Sequence, residues 1–186
     1  MRFLPLLLVA ACDSATTTST SDTSPPEPPA PFAFYTPAWA DGQDVPEEYT
    51  CDGAGGWGGQ NNPKLVWESP PEGTVGFAMI FDDPDAGEYP HWAFFVNDAT
   101  VLTVKKATSG TAELADGVVE LLSGDGRVGY IPNCPSGNTH TYRWRMFALD
   151  TEIALDESAS FSELEDAATE AKIKKVEFTG LSDAGR

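Results

Sequence analysis

The sequence predicts a single, mainly β domain with a peripheral helix near the C-terminus. Three observations favour this class: short apolar segments typical of strands, turn-forming residues at short intervals, and only one segment with clear helix boundaries. The chain has 186 residues, of which 41% are hydrophobic, enough for one domain with a sizeable core. Its formal net charge of −18 argues against a nucleic-acid partner and against electrostatic docking on anionic lipid.

The first 31 residues are predicted to be an export signal and a tether. Residues 1–11, MRFLPLLLVAA, join one positive charge to an apolar run that is too short to span a bilayer, as in a lipoprotein signal peptide. Ala10 and Ala11 before Cys12 resemble a bacterial lipobox, in which the cysteine is acylated. An ordinary signal peptide cut elsewhere is the alternative. Residues 12–31, rich in Ser, Thr and Pro, form the tether, and residues 32–186 form the folded domain.

This interpretation places the domain outside the cytoplasm, lipid-anchored at a bacterial cell envelope. Whether the inner or the outer membrane holds it stays open. An exported chain meets an oxidising compartment, where the two cysteines that remain after Cys12, Cys51 and Cys134, can form a disulfide. Two buried free thiols are the alternative.

Five segments are predicted to be strands. They are KLVWE (64–68), VGFAMIF (75–81), HWAFFVN (91–97), TYRWRMFALD (141–150) and VEFTGL (176–181). The second and third are continuously apolar, as expected for strands that are covered on both faces. In the fourth, Tyr142, Trp144 and Met146 alternate with Arg143 and Arg145, which predicts that the two sets face opposite sides of the sheet.

The one predicted helix lies in SFSELEDAATEAKIKK, residues 160–175. Ser160 and Glu163 have the spacing of a capping box, and three lysines lie at or beyond the end of the segment. We assign this helix no chemistry. Two long Gly-containing connections, 51–62 and 123–140, are candidates for functional loops.

The two histidines of the chain are the main candidates for chemistry. His91 and His140 each lie where a loop meets a predicted strand, a common place for binding groups. A carboxylate near His91, most plausibly Asp83, is expected to fix its tautomer and raise its pKa, so that the imidazolium attracts an anion. Two unrelated buried histidines, or a zinc site, are the alternatives. No nucleophile motif, phosphate-binding loop or calcium loop is present, so neither an enzyme nor a cofactor is predicted.

Four blocks of the chain, in order, resemble the phosphatidylethanolamine-binding protein family, in its bacterial, Raf-kinase-inhibitor-like branch. They are ADGQDVPEEYTCDG (40–53), NPKLVWESPPEGT (62–74), DDPDAGEYPHW (82–92) and GYIPNCPSGNTHTYRWRMFALD (129–150). Gly87, Ser136 and Thr141 depart from the family pattern, which has proline, proline and arginine at these places. The resemblance implies a β-sandwich-type domain with a small pocket for anionic head groups at one end.

The resemblance also implies which residues line that pocket: Asp83, Pro84, His91, Pro135, His140 and Tyr142. In it, Asp83 would orient His91, while His140 and Tyr142 would donate hydrogen bonds to the anion. Tyr89 would close one side. The other acidic residues between the second and third predicted strands, Asp82, Asp85 and Glu88, are expected to lie in a solvated loop or to cap a turn.

The function expected from these observations is non-enzymatic binding of a small anionic ligand, such as phosphate or a phospholipid head group, at the cell envelope. The expected partners are that ligand and, through the lipid anchor, a membrane. The alternative is an inhibitor of a protease or a modulator of a signalling protein that acts through protein contacts. For this alternative, the loop 54–62 is the candidate surface.

Overall fold

The computed structural model describes residues 29–53, 56, 61–111, 114 and 117–183. Within these residues the chain forms nine strands and one α-helix, with 3-10 turns at Glu47–Tyr49 and Pro84–Ala86. The strands are β1 Ala33–Tyr35, β2 Gln43–Asp44, β3 Leu65–Glu68, β4 Gly76–Asp83, β5 Tyr89–Val96, β6 Thr103–Val104, β7 Val118–Glu120, β8 His140–Leu149 and β9 Lys172–Ser182; helix α1 is Phe161–Glu170. The mainly β prediction with a late helix is confirmed.

Two sheets and the helix form three layers. A six-stranded sheet has the order β2-β9-β8-β4-β5-β7, and a three-stranded sheet has the order β1-β3-β6. One face of the larger sheet, with Phe77, Met79 and Phe81 of β4, packs with residues of the smaller sheet in an aromatic-rich core. The opposite face, with Ala78 and Ile80, packs against α1. Since both faces are covered, every residue of β4 is buried.

The predicted strands are present, and the alternation in β8 is confirmed. Tyr142, Trp144 and Met146 lie in the core between the sheets, whereas Arg143 and Arg145 face the helix side. The sequence analysis did not identify β1, β2, β6 and β7, each of which has two or three residues. Such strands are too short to show an alternating pattern.

Helix α1 begins where it was predicted to begin but ends before the end of the predicted segment 160–175. Ser160 and Glu163 form a complete capping box. Helix α1 ends at Glu170, and two residues later β9 begins at Lys172, four residues before the predicted strand. The lysines that were expected at or beyond the helix end therefore lie in the first part of β9.

The disulfide between Cys51 and Cys134 is present, with the two Cα atoms 5.3 Å apart. It joins segments that also pair through their backbones, because Cys51 N donates to Asn133 O at 2.9 Å. A crosslink across 83 residues of sequence reduces the entropy of the unfolded chain and stabilises the fold by about 4.5 kcal/mol on the loop-entropy estimate. The bridge fixes the segment that precedes β8.

The chain enters the domain at the end of the sheet remote from the histidines. Phe32 stacks on Phe77, the second residue of β4, with ring centroids 6.3 Å apart. Asp83 is the last residue of the same strand. The strand therefore separates its two ends, Gly76 and Asp83, by about 23 Å at the usual rise per residue.

Candidate functional site

The predicted site residues come from three neighbouring strands that meet at one end of the larger sheet. Asp83 ends β4, His91 is the third residue of β5, and His140 begins β8. Because β4 pairs with both β5 and β8, the sheet brings these strand ends together. Both imidazoles pack near Tyr142, whose ring centroid lies 5.2 Å from that of His91 and 6.3 Å from that of His140.

The Asp83 carboxylate is a hydrogen-bond partner of His140. His140 Nδ1 lies 2.7 Å from Asp83 Oδ2, and Asp83 Oδ1 accepts a hydrogen bond from Ala86 N at 3.1 Å. Asp83 is 2% exposed, whereas the His140 side chain is 15% exposed. The carboxylate expected to orient His91 thus orients the other histidine and caps the following turn.

The hydrogen bond that orients the His91 ring comes from a backbone carbonyl. His91 Nδ1 lies 3.0 Å from Ile131 O, and since a carbonyl only accepts, Nδ1 carries the proton. Burial of the ring lowers the pKa of His91 to about 4, although the Ile131 carbonyl and the nearby carboxylates of Asp83, Asp82 and Asp125 raise it. The expected rise in this pKa is therefore wrong: loss of solvent around the ring outweighs the charges near it.

Tyr142 is buried at the centre of the site, with 1% exposure. Its hydroxyl oxygen accepts a hydrogen bond from Cys134 N at 3.1 Å. Burial, followed by the negative charge of Asp83, raises the pKa of Tyr142 well above that of a free tyrosine. The hydroxyl is therefore neutral and already holds neighbouring chain segments in place, in addition to any contact it makes with a ligand.

The segment before β8 forms the other wall, and its main contribution, from Ile131, is not predicted by the sequence. Ile131 N donates to His91 O at 2.9 Å, so Ile131 binds the backbone of His91 as well as its ring. Ser123 Oγ donates to the same His91 carbonyl at 3.0 Å. Pro135 is buried beside the disulfide-bonded Cys134. A backbone carbonyl leaves no mark in a side-chain motif, so only the fold reveals the part that Ile131 plays.

Pro84 and Tyr89, the two remaining predicted residues, lie at the two ends of the β4–β5 turn and differ in exposure. Pro84 begins the 3-10 turn and is exposed, as are the other residues of that turn. Gly87 ends the turn at φ 72° and ψ 40°, a left-handed conformation that proline cannot adopt. The Tyr89 ring meets the His91 ring edge-on at 5.3 Å and lies against Gly124, where an added Cβ would come within 2.6 Å of the tyrosine ring.

Asp82 is the centre of a buried ion-pair cluster on the helix side of the sheet. Its carboxylate lies 2.7 Å from Arg143 Nη2 and 2.7 Å from Arg145 Nη2. Arg145 also forms an ion pair with Glu165 of α1. Arg143 Nη2 also lies 3.2 Å from Glu88 Oε1 in the β4–β5 turn. With 2% exposure, Asp82 is not part of a solvated loop, so that expectation is wrong. Strand β4 extends past the predicted apolar segment 75–81. Asp82 therefore lies within the sheet, opposite Arg143 of β8.

The other acidic residues of the turn also have partners. Asp85 Oδ2 accepts a hydrogen bond from Thr141 N at 2.7 Å, which ties the turn to the start of β8. Glu88 lies on the surface and takes part in the ion-pair cluster. Asp85 therefore satisfies a backbone donor, as a turn-capping residue does, although the donor belongs to another strand.

Two further findings concern metals and membranes. Among the described residues, no group of three or more His, Cys, Asp or Glu side chains is arranged to hold a metal ion. In the same part of the chain, no helix is both long and apolar enough to cross a bilayer. The loop 54–62, apart from residues 56, 61 and 62, and the lipobox with Cys12 lie outside the described residues.

Comparisons with known proteins identify relatives of this chain. The family model described as "Phosphatidylethanolamine-binding protein" matches residues 35–183. A UPF0098 protein of Methanothermobacter thermautotrophicus is 30% identical over 152 residues, which cover 81% of this chain and 97% of the relative. A Mycobacterium tuberculosis protein named "Putative lipoprotein LppC" is 29% identical over 154 residues, 81% of this chain and 71% of its own length.

Solved structures give the same result. The crystal structure of Escherichia coli YbcL, described as a new member of the mammalian PEBP family, superposes with a TM-score of 0.73 at 28% sequence identity. The superposition covers 82% of this chain and 98% of YbcL. By its sequence match and by its fold, the chain belongs to the phosphatidylethanolamine-binding protein family.

Proposed function

We propose that this domain binds a small oxyanion, such as phosphate or a phosphorylated head group, between His91 and His140, and catalyses no reaction on it. The observation that carries the proposal is the meeting of two oriented imidazoles around one buried tyrosine, at the end of the sheet where β4, β5 and β8 converge. Membership of the family supports a ligand site.

The rigidity of the site supports binding. Each imidazole has its Nδ1 atom fixed by a hydrogen bond, one to Ile131 and one to Asp83. The disulfide at Cys134 and the hydrogen bond from Cys134 to Tyr142 hold the facing segment in place. A site that is organised before the ligand arrives loses less conformational entropy on binding.

Isothermal titration with inorganic phosphate and with phosphorylethanolamine tests the proposal. We expect the variant His140→Gln to weaken binding by at least roughly tenfold, the loss expected for one charge-assisted hydrogen bond. Thr141→Ala is the matched control, because its side chain is exposed and adjacent; its affinity should equal that of the wild type. No binding to the wild type, or an equal loss in both variants, would refute the proposal.

The absence of catalysis is tested separately. Wild-type protein incubated with phosphate monoesters should release no more phosphate than the variant His91→Gln does. Turnover that depends on His91 would instead make the protein a hydrolase.

We also infer that the domain is held at the cell envelope through an acylated Cys12. The lipobox-like sequence supports this, as does the similarity to LppC. Labelling with a fatty-acid analogue in a bacterial host should modify the wild type and leave Cys12→Ser unlabelled. Equal labelling of both chains would exclude this cysteine as the attachment site. An inhibitor or signalling role depends on the loop 54–62, and no contact of the described residues favours it over ligand binding.

A further inference from the structure

A buried carboxylate beside the aromatic core lies outside the site described above. Glu120, the last residue of β7, is 8% exposed. Its Oε1 accepts hydrogen bonds from Trp92 Nε1 at 2.6 Å and from Ser109 Oγ at 2.7 Å, and its Oε2 accepts one from Gly110 N at 2.7 Å. All three donors are neutral: an indole, a hydroxyl and a backbone amide.

A carboxylate with such partners is a costly way to fill this space. Burying a charge that only neutral donors compensate costs free energy, and apolar residues of similar size often stabilise a fold more. Unlike an apolar side chain, however, Glu120 fixes donors from separate segments at hydrogen-bonding distance. Its partners, rather than its contribution to stability, therefore indicate its role.

The hydrogen bond from Trp92 fixes the strand that carries one of the two candidate histidines. Trp92 directly follows His91 in β5, and its side chain is fully buried. Since the indole N–H is bound to Glu120, β5 is held to the end of β7 next to the imidazole.

The hydrogen bond from Ser109 reaches the opposite wall of the site. The same hydroxyl that donates to Glu120 accepts a hydrogen bond from Tyr130 N at 2.6 Å. Tyr130 directly precedes Ile131, whose carbonyl oxygen lies 3.0 Å from His91 Nδ1. Glu120 is therefore connected to both partners of the bond that orients the ring.

The backbone of Ser109 is also held, so its hydroxyl has little freedom to change partners. Asn62, which is fully buried, accepts hydrogen bonds through Oδ1 from Thr108 N at 2.9 Å and from Ser109 N at 2.8 Å. Its Nδ2 donates to Lys105 O at 2.9 Å. The link between Glu120 and the wall thus passes through a fixed side chain.

We propose that Glu120 is a positioning residue of the candidate site, which holds His91 and the Ile131 carbonyl at hydrogen-bonding distance. It acts through Trp92 on one side and through Ser109 on the other. The effect on the His91 ring is independent of any ligand, whereas the effect on affinity rests on the proposed function.

Nuclear magnetic resonance of the His91 ring tests the proposal without a ligand. In the wild type, the Nδ1–H proton should be visible in ¹H–¹⁵N spectra at neutral pH, because the ring is buried and this proton is bound to Ile131 O. Glu120→Ala removes both connections. We expect its Nδ1–H proton to exchange with water at least roughly tenfold faster, as for the loss of one hydrogen bond. Unchanged exchange would overturn the proposal.

Glu120→Gln is the rescue variant. Its amide oxygen can still accept from Trp92 and from Ser109, so only the bond from Gly110 N is lost. Slow exchange of the His91 proton should therefore return. Exchange as fast as in Glu120→Ala would mean that the charge matters and the two hydrogen bonds do not, which would refute the positioning role.

Ser109→Ala tests the path to the wall by itself. This variant keeps the bond between Trp92 and Glu120 and removes the link to Tyr130 N. Faster exchange of the His91 proton is expected here as well. Wild-type exchange in this variant would overturn the path through Ser109.

Asn97→Ala controls for a loss of stability alone. Asn97 lies just beyond the other end of β5, and its amide makes two hydrogen bonds with the backbone of Ile153, at 2.9 and 3.0 Å. Whatever its midpoint in urea, this variant should leave the exchange of the His91 proton unchanged. If exchange rises here as it does in Glu120→Ala, Glu120 is an ordinary stabilising residue and the proposal fails.

Calorimetric titration with inorganic phosphate separates this proposal from the proposed function. Glu120→Ala should bind phosphate at least roughly fivefold more weakly than the wild type, and Glu120→Gln should recover most of that loss. Equal affinity of the wild type and Glu120→Ala would overturn the effect on binding. A wild type that binds no phosphate, with the expected exchange rates, would refute the proposed function and leave the positioning of His91 in place.

Discussion

Asp82 and Asp83 are neighbours in sequence and equally buried, and their side chains lie on opposite faces of the same sheet. Asp82 faces α1 and is bound by Arg143 and Arg145. Asp83 lies at the histidine site and is bound by His140 and the backbone of the turn. Asp82 has two guanidinium groups as its partners, whereas Asp83 has one imidazole and the backbone N–H of Ala86.

The difference shows how one strand end can support both stability and binding. The ion pairs of Arg143 and Arg145 fix the end of β4 against β8 and α1. With that end fixed, Asp83 can hold His140 in a single orientation. The buried charge on the helix side is therefore structural, and the buried charge on the other side lies in the candidate site.

The largest expected effect comes from removing the Asp82 charge. Asp82→Asn leaves two arginines facing each other with a weaker acceptor, and breaking a buried ion pair in this way costs about 4 kcal/mol in the free energy of unfolding. Asp83→Asn is the matched control. The asparagine amide keeps only one of the two oxygens that bind His140 and Ala86, so one hydrogen bond is lost and the cost should be about 1.5 kcal/mol, well below that of Asp82→Asn. Urea unfolding of both variants gives the comparison, and equal losses would contradict it.

The second effect is the response of stability to acid, which should come from the Asp83 side. The pKa of His91 is lowered from 6.5 to about 4 on folding, so below pH 6.5 the unfolded chain binds a proton that the native chain excludes. Stability from this group is complete above pH 6.5 and is lost as the pH falls toward 4, by about 3 kcal/mol in all.

The check is the pH dependence of urea unfolding in the wild type and in His91→Gln. Over this range, the free energy of unfolding should fall less steeply in the variant, whatever its absolute stability. Identical slopes would mean that other groups, such as the many carboxylates, account for the acid response.

The third effect tests the turn that joins the two sides. Gly87 has φ 72°, and nothing lies within 4 Å of an added Cβ, so Gly87→Ala introduces backbone strain alone, worth about 1 kcal/mol. Gly42→Ala is the control, since Gly42 also has open space and a positive φ of 74°, outside the β4–β5 turn. Both variants should lose similar stability in urea unfolding. Only Gly87→Ala should also weaken phosphate binding in calorimetry, and an equal effect of both on binding would contradict a link between the turn and the site.

The smallest effect is expected at the outer edge of the arginine cluster. Glu165 pairs with Arg145 but its side chain is 41% exposed, so solvent screens the pair. Glu165→Ala should therefore cost less than about 1 kcal/mol in urea unfolding, well below Asp82→Asn. A loss as large as that of Asp82→Asn would show that the cluster acts as one unit through the helix rather than through its buried centre.

The sequence predicted what is local in this molecule. Apolar runs identified β4 and β5, alternation identified the two faces of β8, and a capping box identified the start of α1. Their positions at loop-to-strand junctions identified His91 and His140, and the family resemblance added Tyr142. Two contacts could not be predicted because they depend on the register between strands that are distant in sequence. They are the ion pair of Asp82 with Arg143 and the hydrogen bond between Asp83 and His140. The direction of the His91 pKa shift also escaped prediction, because burial depends on the whole fold and the nearby aspartates suggested the opposite sign.

The path of β4 has a practical consequence for measurement. The chain enters the domain beside Phe77, whereas Asp83, the partner of His140, lies about 20 Å away at the other end of that strand. Attachment to a sensor chip, a bead or a vesicle through the N-terminal segment therefore holds the domain by the end that is remote from the histidines. A ligand dissolved in the surrounding medium can then reach the site without passing the surface that holds the protein.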